Sequence, residues 1–571
     1  MSFYLGTTNF DDRQLGYLIP VSALCFFGLV EIAIQWLIVS FHFVGIIKDK
    51  NEDYSKRLNA VLMLILGTCC RLVVLVPCLI LLYPNLLRKA ILGDESRAYE
   101  IISLVIFAIN VAFSVLPFMF GVKMLLNSHK RKKKKDSSLD IPQVYIIIPI
   151  YNEIPEILEK NIRAILQLHY PKHKINLILA FDDEKISKSL ICAYRLFGIY
   201  SSPSSISYPR TTNADYNGMK VSICRFDHGG KRKTQEKAYK HIMSNCYGGE
   251  RNALLLFIDS DIVLEVDSLI NIVHDMQETR KKAVTGFILI NEPDCLIEKL
   301  QDQEYLQGQL VHRYFESVLG GLLCLPGALT AIDLQVFSSL SQAYFEETNP
   351  TCDTIRKYHQ RHLGEDRFLT LLLLEMVNAK NVGFSHVSRG ETDPPKSFRT
   401  LVIQRRRWLL GTLANDAHML SSVKLWKKLS LLMLFTLLDS NRGLGFILLA
   451  MYFAIPLLFA PLWLILIVVF APIILLWILV AFANIQLSRA RMIWLFLITH
   501  VFIMVLSFTT SIFSILTLRR LTWGGPRTKE NIALNTVEIQ ETKMEKDEFD
   551  GRERQETSDI LLSVYQSYYS D

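Results

Sequence analysis

Two carboxylates separated by a single residue follow an apolar run in the middle of the chain. Asp259 and Asp261 come directly after residues 254–258, which are all apolar. Such a continuous run is typical of a strand that is buried on both faces. Two carboxylates at the end of a strand can hold a hard divalent cation, which in turn binds a diphosphate. The alternative is a surface turn or a helix N-cap, because the D-x-D pattern also occurs in many loops.

A pair of glycines followed by two cations forms a second candidate site. Gly229, Gly230, Lys231 and Arg232 combine a flexible backbone with positive charge, which suits contact with phosphate. The stretch lacks the G-x-x-x-x-G-K-[ST] spacing of a P-loop, so the sequence disfavours an ATPase. A basic loop without a ligand is the alternative.

Glu365 and Asp366 stand in the sequence G-E-D-R, just before the largely apolar stretch 368–374. This pattern predicts a loop that enters a buried helix. A carboxylate at such a position either caps the helix or acts as a general base that removes a proton from a hydroxyl group.

Arginine and tryptophan occur together twice. In the sequence Q-R-R-R-W over 404–408, Arg407 suits pairing with a diphosphate and Trp408 suits packing against a sugar ring. A juxtamembrane basic patch with an interfacial tryptophan is the alternative. Trp523 and Arg527 belong to the sequence W-G-G-P-R, whose glycines and proline imply a shaped loop that closes over a nucleotide. An interfacial anchor is the alternative for this second motif.

The elements that must position these residues have an alternating pattern. Apolar runs at 144–149, 175–181 and 254–258 predict buried strands, and apolar residues at helical spacing separate the first two. The second run ends in Asp182. The alternation predicts a doubly wound α/β sheet. Ligands bind at the carboxyl ends of strands in such sheets, and acidic residues recur at those ends here.

Long apolar runs at the N-terminal side predict membrane spans. Half of the 571 residues are hydrophobic, and runs at about 16–46, 59–84 and 100–126 are long enough to cross a bilayer. The first run is too long for the hydrophobic part of a cleavable signal peptide, so we expect it to remain as a helix. Arg71 falls inside the second run. Either this span is shorter than the run, or the arginine faces the interior of the helix bundle.

The C-terminal apolar region leaves its topology open. The short stretch 429–438 is flanked by lysines and predicts an interfacial helix, 443–486 predicts two spans, and 492–518 predicts the last span. Three spans would leave the C-terminus outside, whereas the arginines after residue 518 argue for the cytosolic side. The number of C-terminal spans therefore stays open. After about residue 528 the chain is charged and polar, which predicts disorder.

Charge and cysteine usage exclude other classes of protein. Six consecutive basic residues occupy 130–135, directly after the third apolar run. A basic cluster beside a membrane span marks the cytosolic side and binds anionic lipid, so we expect membrane lipid as a partner and no nucleic acid. The ten cysteines form no C-x-x-C pair in the soluble part, which disfavours a structural metal site.

Taken in order, these motifs resemble the signature of the processive family-2 glycosyltransferases, which include the cellulose, hyaluronan and chitin synthases. The resemblance covers roughly 140–530. It rests on I-P-I-Y-N-E (148–153), Asp182, G-K-R (230–232), D-S-D (259–261), E-D-R (365–367) and Q-x-x-R-W (404–408). The sequences G-E-D-R-F-L-T and Q-R-R-R-W are similar to the corresponding motifs of the chitin synthases. So are Q-E-Y (303–305) and the acceptor-side segment 315–327.

Three positions depart from the pattern of the chitin synthases. Ala328 stands where the family usually has cysteine, and Lys233 stands where it usually has aspartate. The sequence W-G-G-P-R replaces the usual W-G-x-T-R. These departures bear on the identity of the sugar more than on the reaction.

The resemblance implies a domain plan. A GT-A-type glycosyltransferase domain with a doubly wound mixed sheet (140–425) would be inserted between N-terminal (1–128) and C-terminal (426–518) α-helical transmembrane bundles. A gating-type loop (519–530) and a disordered tail (531–571) would follow. The protein would be a multi-pass plasma-membrane protein with a cytosolic catalytic domain. Its oligomeric state stays open, a homo-oligomer included.

The resemblance also assigns roles to residues. Asp366 would be the catalytic base, and Asp261 with Asp259 would bind Mg²⁺ or Mn²⁺. Residues assigned to UDP are Pro149, Tyr151, Glu153, Asp182, Lys231, Arg232, Asp259, Gln404, Arg406, Arg407, Trp523 and Arg527. Residues assigned to the acceptor are Trp408, Glu365, Glu316, Pro326 and Gly327.

The implied reaction inverts the anomeric carbon. The chain would transfer GlcNAc from UDP-GlcNAc to the non-reducing end of a β-1,4-linked polysaccharide, chitin, and translocate it across the membrane. Hyaluronan or a glucan is the alternative product. A polyprenyl-phosphate glycosyltransferase is a second alternative, although such enzymes normally lack Q-x-x-R-W. A non-catalytic channel is the third, although it would have lost Asp261, Asp366 or Trp408.

Overall fold

The computed structural model describes residues 12–82, 119, 122–123, 141–183, 186–199, 210–250, 252–346, 354–376, 381–439, 471–487 and 489–521. Several predictions lie outside these residues. They concern the third N-terminal span, the basic run 130–135, most of 443–486, the motif with Trp523 and Arg527, and the tail.

A single mixed sheet is the centre of the fold. Among the described residues its strands are β1 (Gln143–Ile150), β2 (Ile175–Phe181), β3 (Arg210–Tyr216), β4 (Met219–Arg225), β5 (Ala253–Ile258), β6 (Val263–Leu264), β7 (Ala283–Ile290), β8 (Leu329–Asp333) and β9 (Val382–Thr392). Their order across the sheet is β3-β4-β2-β1-β5-β8-β7-β9-β6. Strands β4, β2, β1 and β5 run parallel to one another, and β8 is antiparallel to β5 and β7. The predicted mixed α/β sheet is confirmed.

Helices surround this sheet and extend from it. In chain order they are α1 (Asp12–Lys48), α2 (Tyr54–Leu82), α3 (Pro155–Leu166), α4 (Lys188–Leu196), α5 (Lys231–His241), α6 (Ser268–Glu278), α7 (Leu296–Gln307), α8 (Tyr314–Val318), α9 (Leu334–Phe345), α10 (Ile355–Tyr358), α11 (Glu365–Met376), α12 (Phe398–Ser421), α13 (Val423–Lys428), α14 (Ser430–Asp439), α15 (Ala471–Gln486) and α16 (Phe496–Leu516). Short π-helical turns occur at Ile242–Cys246, Gly308–Arg313 and His359–Leu363.

The continuous apolar runs form strands that are covered on both faces. Successive side chains of a strand point to opposite faces, and β1 divides in this way: Tyr145 and Ile147 belong to one core cluster, and Ile146 and Ile148 belong to another. All four side chains are 0% exposed. The parallel alignment brings the ends of β1, β2 and β5 to one edge of the sheet, where the sequence analysis expected the ligand site.

Two helices of the described residues are long and apolar enough to cross a membrane. They are Ala23–Lys48, within α1, and Ile498–Leu516, within α16. These match the first and last predicted spans, and α2 covers most of the predicted second span, 59–84. The short stretch 429–438 corresponds to α14. The two complete transmembrane bundles remain a prediction, because these assignments rest on length and composition.

Arg71 faces α1 in the structure. Its guanidinium carbon lies 3.9 Å from the ring centroid of Trp36, and its Nη1 donates to the carbonyl of Gly67 at 3.0 Å. The side chain is buried. Of the two interpretations of Arg71, the structure supports the one in which its side chain faces another helix.

The turn between α1 and α2 contacts the domain that contains the sheet. Asp49 Oδ2 accepts a hydrogen bond from Arg356 Nη2 at 2.6 Å, and Glu52 Oε1 lies 3.5 Å from Nη1 of the same arginine. Asn59 donates to the carbonyl of Leu420 at 2.9 Å. Since Leu420 belongs to α12, the N-terminal helices are fixed directly against the helix that carries Q-R-R-R-W.

Candidate active site

Glu153 joins the loops that follow β1 and β5. The Ser260 hydroxyl donates to Glu153 Oε2 at 2.5 Å, and the Ile154 N–H donates to Oε1 at 3.0 Å. The side chain is 5% exposed. The resemblance assigns Glu153 to UDP; in the structure its Oε2 links the two loops, and its Oε1 accepts a hydrogen bond within its own loop.

The D-S-D turn is also held from α3. The Asn161 side-chain amide donates to the carbonyls of Asp259 and Ile262 at 3.1 and 2.6 Å. Asp261 Oδ2 accepts from the Thr392 hydroxyl at 3.0 Å, at the end of β9. Both aspartates remain partly exposed. The turn therefore presents two carboxylates on a backbone that buried hydrogen bonds fix.

Asp182, at the end of β2, positions the glycine pair. Its Oδ1 accepts from the Gly229 N–H and its Oδ2 from the Gly230 N–H, both at 2.9 Å. Gly230 has φ +84°, a conformation that favours glycine, and α5 begins directly after it. Burial raises the pKa of Asp182, against the opposing effect of His228. The predicted UDP-binding residue thus shapes the loop that leads to Lys231.

His228 belongs to this site, although the sequence analysis did not select it. Its ring stacks on that of Tyr151, with centroids 4.8 Å apart and planes 25° apart, and its Nδ1 lies 3.1 Å from Asp182 Oδ2. The two rings form a flat aromatic pair beyond the ends of β1 and β4. The one signal for it in the sequence is its position, because the histidine immediately precedes the glycine pair.

Lys231 connects two acidic motifs that are far apart in the sequence. Its Nζ lies 2.9 Å from Asp259 Oδ1 and 3.2 Å from Glu365 Oε1. Burial lowers the pKa of Lys231, but the carboxylates of Asp259, Asp366 and Glu365 outweigh this effect and hold it well above its ordinary value. The lysine is therefore cationic at neutral pH, and it brings the D-S-D turn and the start of α11 together.

Asp366 and Gly327 approach each other closely in this cluster. A Cβ atom added to Gly327 would lie 2.8 Å from Asp366 Oδ1 and 3.2 Å from Lys231 Nζ. Burial and the neighbouring Glu365 raise the pKa of Asp366 to about 7, although Lys231 opposes them. A carboxyl group with such a pKa is suited to proton transfer near neutral pH.

The three arginines of Q-R-R-R-W make three different sets of contacts. Arg405 pairs with Glu304 at 2.7 Å, and its guanidinium carbon lies 4.1 Å from the Trp408 ring centroid. Arg407 Nη1 lies 3.9 Å from Glu365 Oε2, within the Lys231 cluster. Arg406 contacts the end of α16, which is described below. The structure therefore brings Arg407 to the predicted site, and Trp408 lies beside Arg405 and Tyr305.

Two of the predicted UDP-binding arginines donate hydrogen bonds to the protein itself in the structure. Arg232 is 3% exposed and its Nη2 donates to the carbonyls of Tyr344 and Glu346, the latter at 3.0 Å. Arg406 is also 3% exposed, and it donates to the hydroxyl and carbonyl of Thr517. Each guanidinium thus binds oxygens of the protein itself, and the assignment of Arg232 and Arg406 to UDP stays a prediction.

The acceptor-side segment before Gly327 is held by Glu316. Its Oε2 accepts from the Leu323 N–H at 3.0 Å, and burial raises its pKa. The carbonyl of Pro326 accepts from the Thr330 hydroxyl at 2.6 Å. These contacts fix the loop that brings Gly327 to Asp366.

The remaining two predicted residues differ in their surroundings. Pro149 lies near the end of β1, opposite Ala180 of β2. Gln404 Oε1 is buried and has no hydrogen-bond partner among the described residues. Since a buried polar oxygen without a partner is costly, Gln404 is suited to bind a group that enters the site.

Gly364 and Gly411 allow the start of α11 to pack closely against the middle of α12. A Cβ added to Gly411 would lie 2.6 Å from the Cα of Gly364 and 2.7 Å from its backbone nitrogen. Asn415 donates to the carbonyls of both glycines, at 3.2 and 2.9 Å. This approach is what places Arg407 beside Glu365.

We predict that Gly411→Ala destabilises the protein by roughly 1–3 kcal/mol, because the new methyl group meets backbone that cannot rotate away. Thermal unfolding of the purified protein in detergent would measure the loss. Gly308→Ala is the matched control, since a Cβ at Gly308 meets nothing within 4 Å. Equal unfolding temperatures for both variants would contradict the prediction.

The residues of the D-S-D turn fit a divalent cation. Two carboxylates on a fixed turn supply the oxygen donors that Mg²⁺ and Mn²⁺ prefer. A separate group, His274, Asp275 and Glu278, also has its side-chain donors within 4.8 Å of one another. It lies on α6, where His274 and Glu278 form an ordinary i,i+4 pair at 3.6 Å. It shares no residue with the Lys231 cluster, and the metal site at Asp259 and Asp261 stays a prediction.

The family model and the curated relatives that match this chain all carry the description chitin synthase. Residues 237–570 match the family model described as chitin synthase. Chitin synthase VI of Metarhizium acridum is 32% identical over 73% of this chain and 68% of its own length. Chitin synthase 6 of Gibberella zeae is 30% identical over 90% of this chain and 68% of its own length. For chitin synthase G of Aspergillus niger the identity is 31%, and the match spans 57% of that relative.

The similarity of this chain to solved structures is weaker than its similarity to these relatives. A mannosyltransferase from Pyrobaculum calidifontis, in complex with GDP-Man and Mn²⁺, aligns with a TM-score of 0.37 and 15% identity. The alignment covers 70% of this chain and 98% of that chain.

Proposed function

Because this chain belongs to the chitin synthase family, we propose that it transfers GlcNAc from UDP-GlcNAc to the non-reducing end of a growing β-1,4-linked chitin chain. The observation that carries the proposal is the position of Lys231, 2.9 Å from Asp259 and 3.2 Å from Glu365. One cation therefore joins the carboxylates suited to a metal and the helix start that carries a candidate base. In the proposed reaction, the nucleotide sugar and the acceptor hydroxyl would meet at this junction.

The donor half of the site would bind UDP. The stacked rings of Tyr151 and His228 are suited to the uracil base, and Asp182 holds the loop that follows them. Lys231 and Arg407 are cations suited to the diphosphate. Mg²⁺ or Mn²⁺, held by Asp259 and Asp261, would neutralise negative charge on the diphosphate and so make UDP a better leaving group.

Asp366 would remove the proton from the 4-hydroxyl of the terminal acceptor sugar. As the proton moves to the carboxylate, the hydroxyl oxygen forms a bond to the anomeric carbon of the donor. The bond to the diphosphate breaks, and UDP leaves with the electron pair. Attack from the side opposite UDP inverts the anomeric carbon and gives a β-linkage.

The acceptor would rest on Trp408. Arg405 lies 4.1 Å from the ring centroid on one side, so the sugar would use the rest of the ring surface. A flat aromatic contact makes few directional bonds, which suits a polymer that must slide after each addition. Glu365, Glu316, Pro326 and Gly327 would surround this acceptor.

The pH dependence of kcat should reflect the protonation state of the Asp366 carboxyl group. Since the pKa of this carboxyl is raised to about 7, it is protonated below that pH and cannot accept a proton. We expect kcat to fall about tenfold per pH unit below neutrality and to level off above it. Steady-state UDP release, measured across this range under saturating donor, tests the prediction. A kcat that stays constant down to about pH 5 would contradict it.

Translocation is a further part of the proposal. The apolar helices α1 and α16 support a membrane location, and a plasma-membrane protein with its catalytic domain in the cytosol could feed the polymer outward. Inside-out sealed vesicles supplied with UDP-GlcNAc would test this. Polymer inside the lumen, protected from added chitinase, supports translocation, and polymer that chitinase digests without detergent refutes it.

A panel of donors tests the reaction. Purified protein with Mg²⁺ or Mn²⁺ would receive UDP-GlcNAc, UDP-Glc, or UDP-GlcNAc together with UDP-GlcA, and UDP release would be measured. Release from UDP-GlcNAc alone supports the proposal. Release only when both UDP-GlcNAc and UDP-GlcA are present would indicate hyaluronan synthesis, and release from UDP-Glc alone would indicate a glucan.

A further inference from the structure

Arg406 is bound to the C-terminal end of α16. Its Nε donates to the Thr517 hydroxyl at 2.5 Å, and its Nη2 donates to the carbonyls of Thr517 and Arg520 at 2.7 and 3.0 Å. The Thr517 hydroxyl in turn donates to the carbonyl of Phe513 at 2.6 Å. Arg406 is 3% exposed and Thr517 6% exposed.

The chemistry of a helix end explains these contacts. The last carbonyls of a helix lack donors within the helix, and they carry the negative end of its dipole. A guanidinium supplies several N–H groups in a rigid fork and so satisfies more than one of these oxygens. Arg406 therefore compensates the end of α16 from outside that helix.

Apolar packing surrounds this contact. Leu410 and Leu413 of α12 belong to a buried apolar cluster, against which the partly buried Ile515 and Leu518 pack. The arginine is thus the polar part of a broader junction between the two helices. On the same stretch of α12, Arg407 lies 3.9 Å from Glu365 of the candidate site, and Trp408 follows.

We infer that Arg406 is a positioning residue that anchors α12 to the end of the last apolar helix and thereby sets the positions of Arg407 and Trp408. The inference rests on the proposed glycosyl transfer, and it assigns to Arg406 no contact with UDP. Small displacements of groups that orient reactants can lower the rate about 10²-fold. Loss of the anchor should therefore lower turnover while leaving the affinity for UDP nearly intact.

The test uses both sides of the contact. Arg406→Lys keeps the charge but loses the fork, and Thr517→Val removes the hydroxyl of the residue that directly follows α16. We expect each to lower kcat roughly tenfold or more, with the Kd for UDP changed less than about threefold. The double variant should lose little beyond Arg406→Lys alone, because the hydroxyl of Thr517 acts through the guanidinium that this variant has already lost. Thr517→Ser, which keeps the hydroxyl, should restore most of the turnover.

Two outcomes would overturn the inference. One is a Kd for UDP that rises about tenfold in Arg406→Lys and not in Thr517→Val, which would make Arg406 a diphosphate ligand. The other is fully additive losses in the double variant. If wild-type protein transfers no sugar, the proposed function fails, and UDP binding together with coupling in thermal unfolding still decides whether Arg406 and Thr517 form the anchor.

Discussion

Replacing Asp366 by asparagine is expected to lower kcat by about 10²- to 10⁴-fold, because the amide cannot accept the proton of the acceptor hydroxyl. The fold should survive the change. Asparagine has the same shape, and Lys231 keeps its contacts with Asp259 and Glu365 at 2.9 and 3.2 Å. The affinity for UDP should remain close to that of the wild type. Turnover from UDP release and Kd from calorimetry measure the two quantities separately.

The matched control removes a carboxylate elsewhere. Glu159→Gln changes a half-exposed residue of α3 that lies outside the Lys231 cluster and contacts Arg163 at 2.6 Å and the Cys192 thiol at 3.9 Å. This variant should retain normal turnover. Normal turnover in Asp366→Asn would remove this residue from the role of base, and loss of UDP binding would reassign it to the donor side.

Gly327→Ala is expected to lower kcat by about 10²-fold with almost no change in the unfolding temperature. The added methyl group would lie 2.8 Å from Asp366 Oδ1 and 3.2 Å from Lys231 Nζ. Both atoms are ends of side chains that can move aside, so the fold accommodates the change. The carboxylate, however, leaves the position from which it takes the proton, and such displacement is costly to the rate.

The comparison with Gly411→Ala separates catalysis from stability. At Gly411 the new methyl group meets backbone at 2.6 Å, so stability should fall. At Gly327 it meets the ends of side chains, so the rate should fall. Kinetic and thermal measurements on both variants check this contrast. A Gly327→Ala protein with a lowered unfolding temperature and a normal initial kcat would contradict the assignment of this loop to the site.

The strands and the edge of the sheet could be predicted from the sequence. Runs such as 254–258 are apolar without interruption, and a strand buried on both faces requires this pattern. The acidic residues that follow them, Asp182 and Asp259, lie at the predicted edge. The D-x-D, G-K-R and E-D-R motifs could be brought together because the parallel strands of such a sheet end on one side.

The separate functions of the three arginines could not be predicted. Adjacent residues of a helix point about 100° apart, so residue type alone does not say which arginine faces the site. The structure turns Arg405 to Glu304, Arg406 to the end of α16 and Arg407 to Glu365. The same difficulty applies to α5, where Lys231 enters the site and Arg232 turns to the carbonyls of Tyr344 and Glu346.

Contacts between distant parts of the chain were also hidden in the sequence. Asp182 accepts hydrogen bonds from the N–H groups of Gly229 and Gly230, which lie 47 and 48 positions further along the chain. The local sequence pattern does not predict these partners. His228 was missed for the same reason, since its stacking partner Tyr151 lies on a different loop. Sequence motifs identified the groups, and tertiary packing decided which of them bind one another.

The measurement that tests the central claim most directly is the product that the purified protein makes from UDP-GlcNAc alone. The wild type with Mg²⁺ or Mn²⁺ should release UDP and form long polymer that chitinase digests, and Asp366→Asn should form none. Polymer that resists chitinase, or equal polymer from both proteins, would contradict the assignment of chitin synthesis to this site.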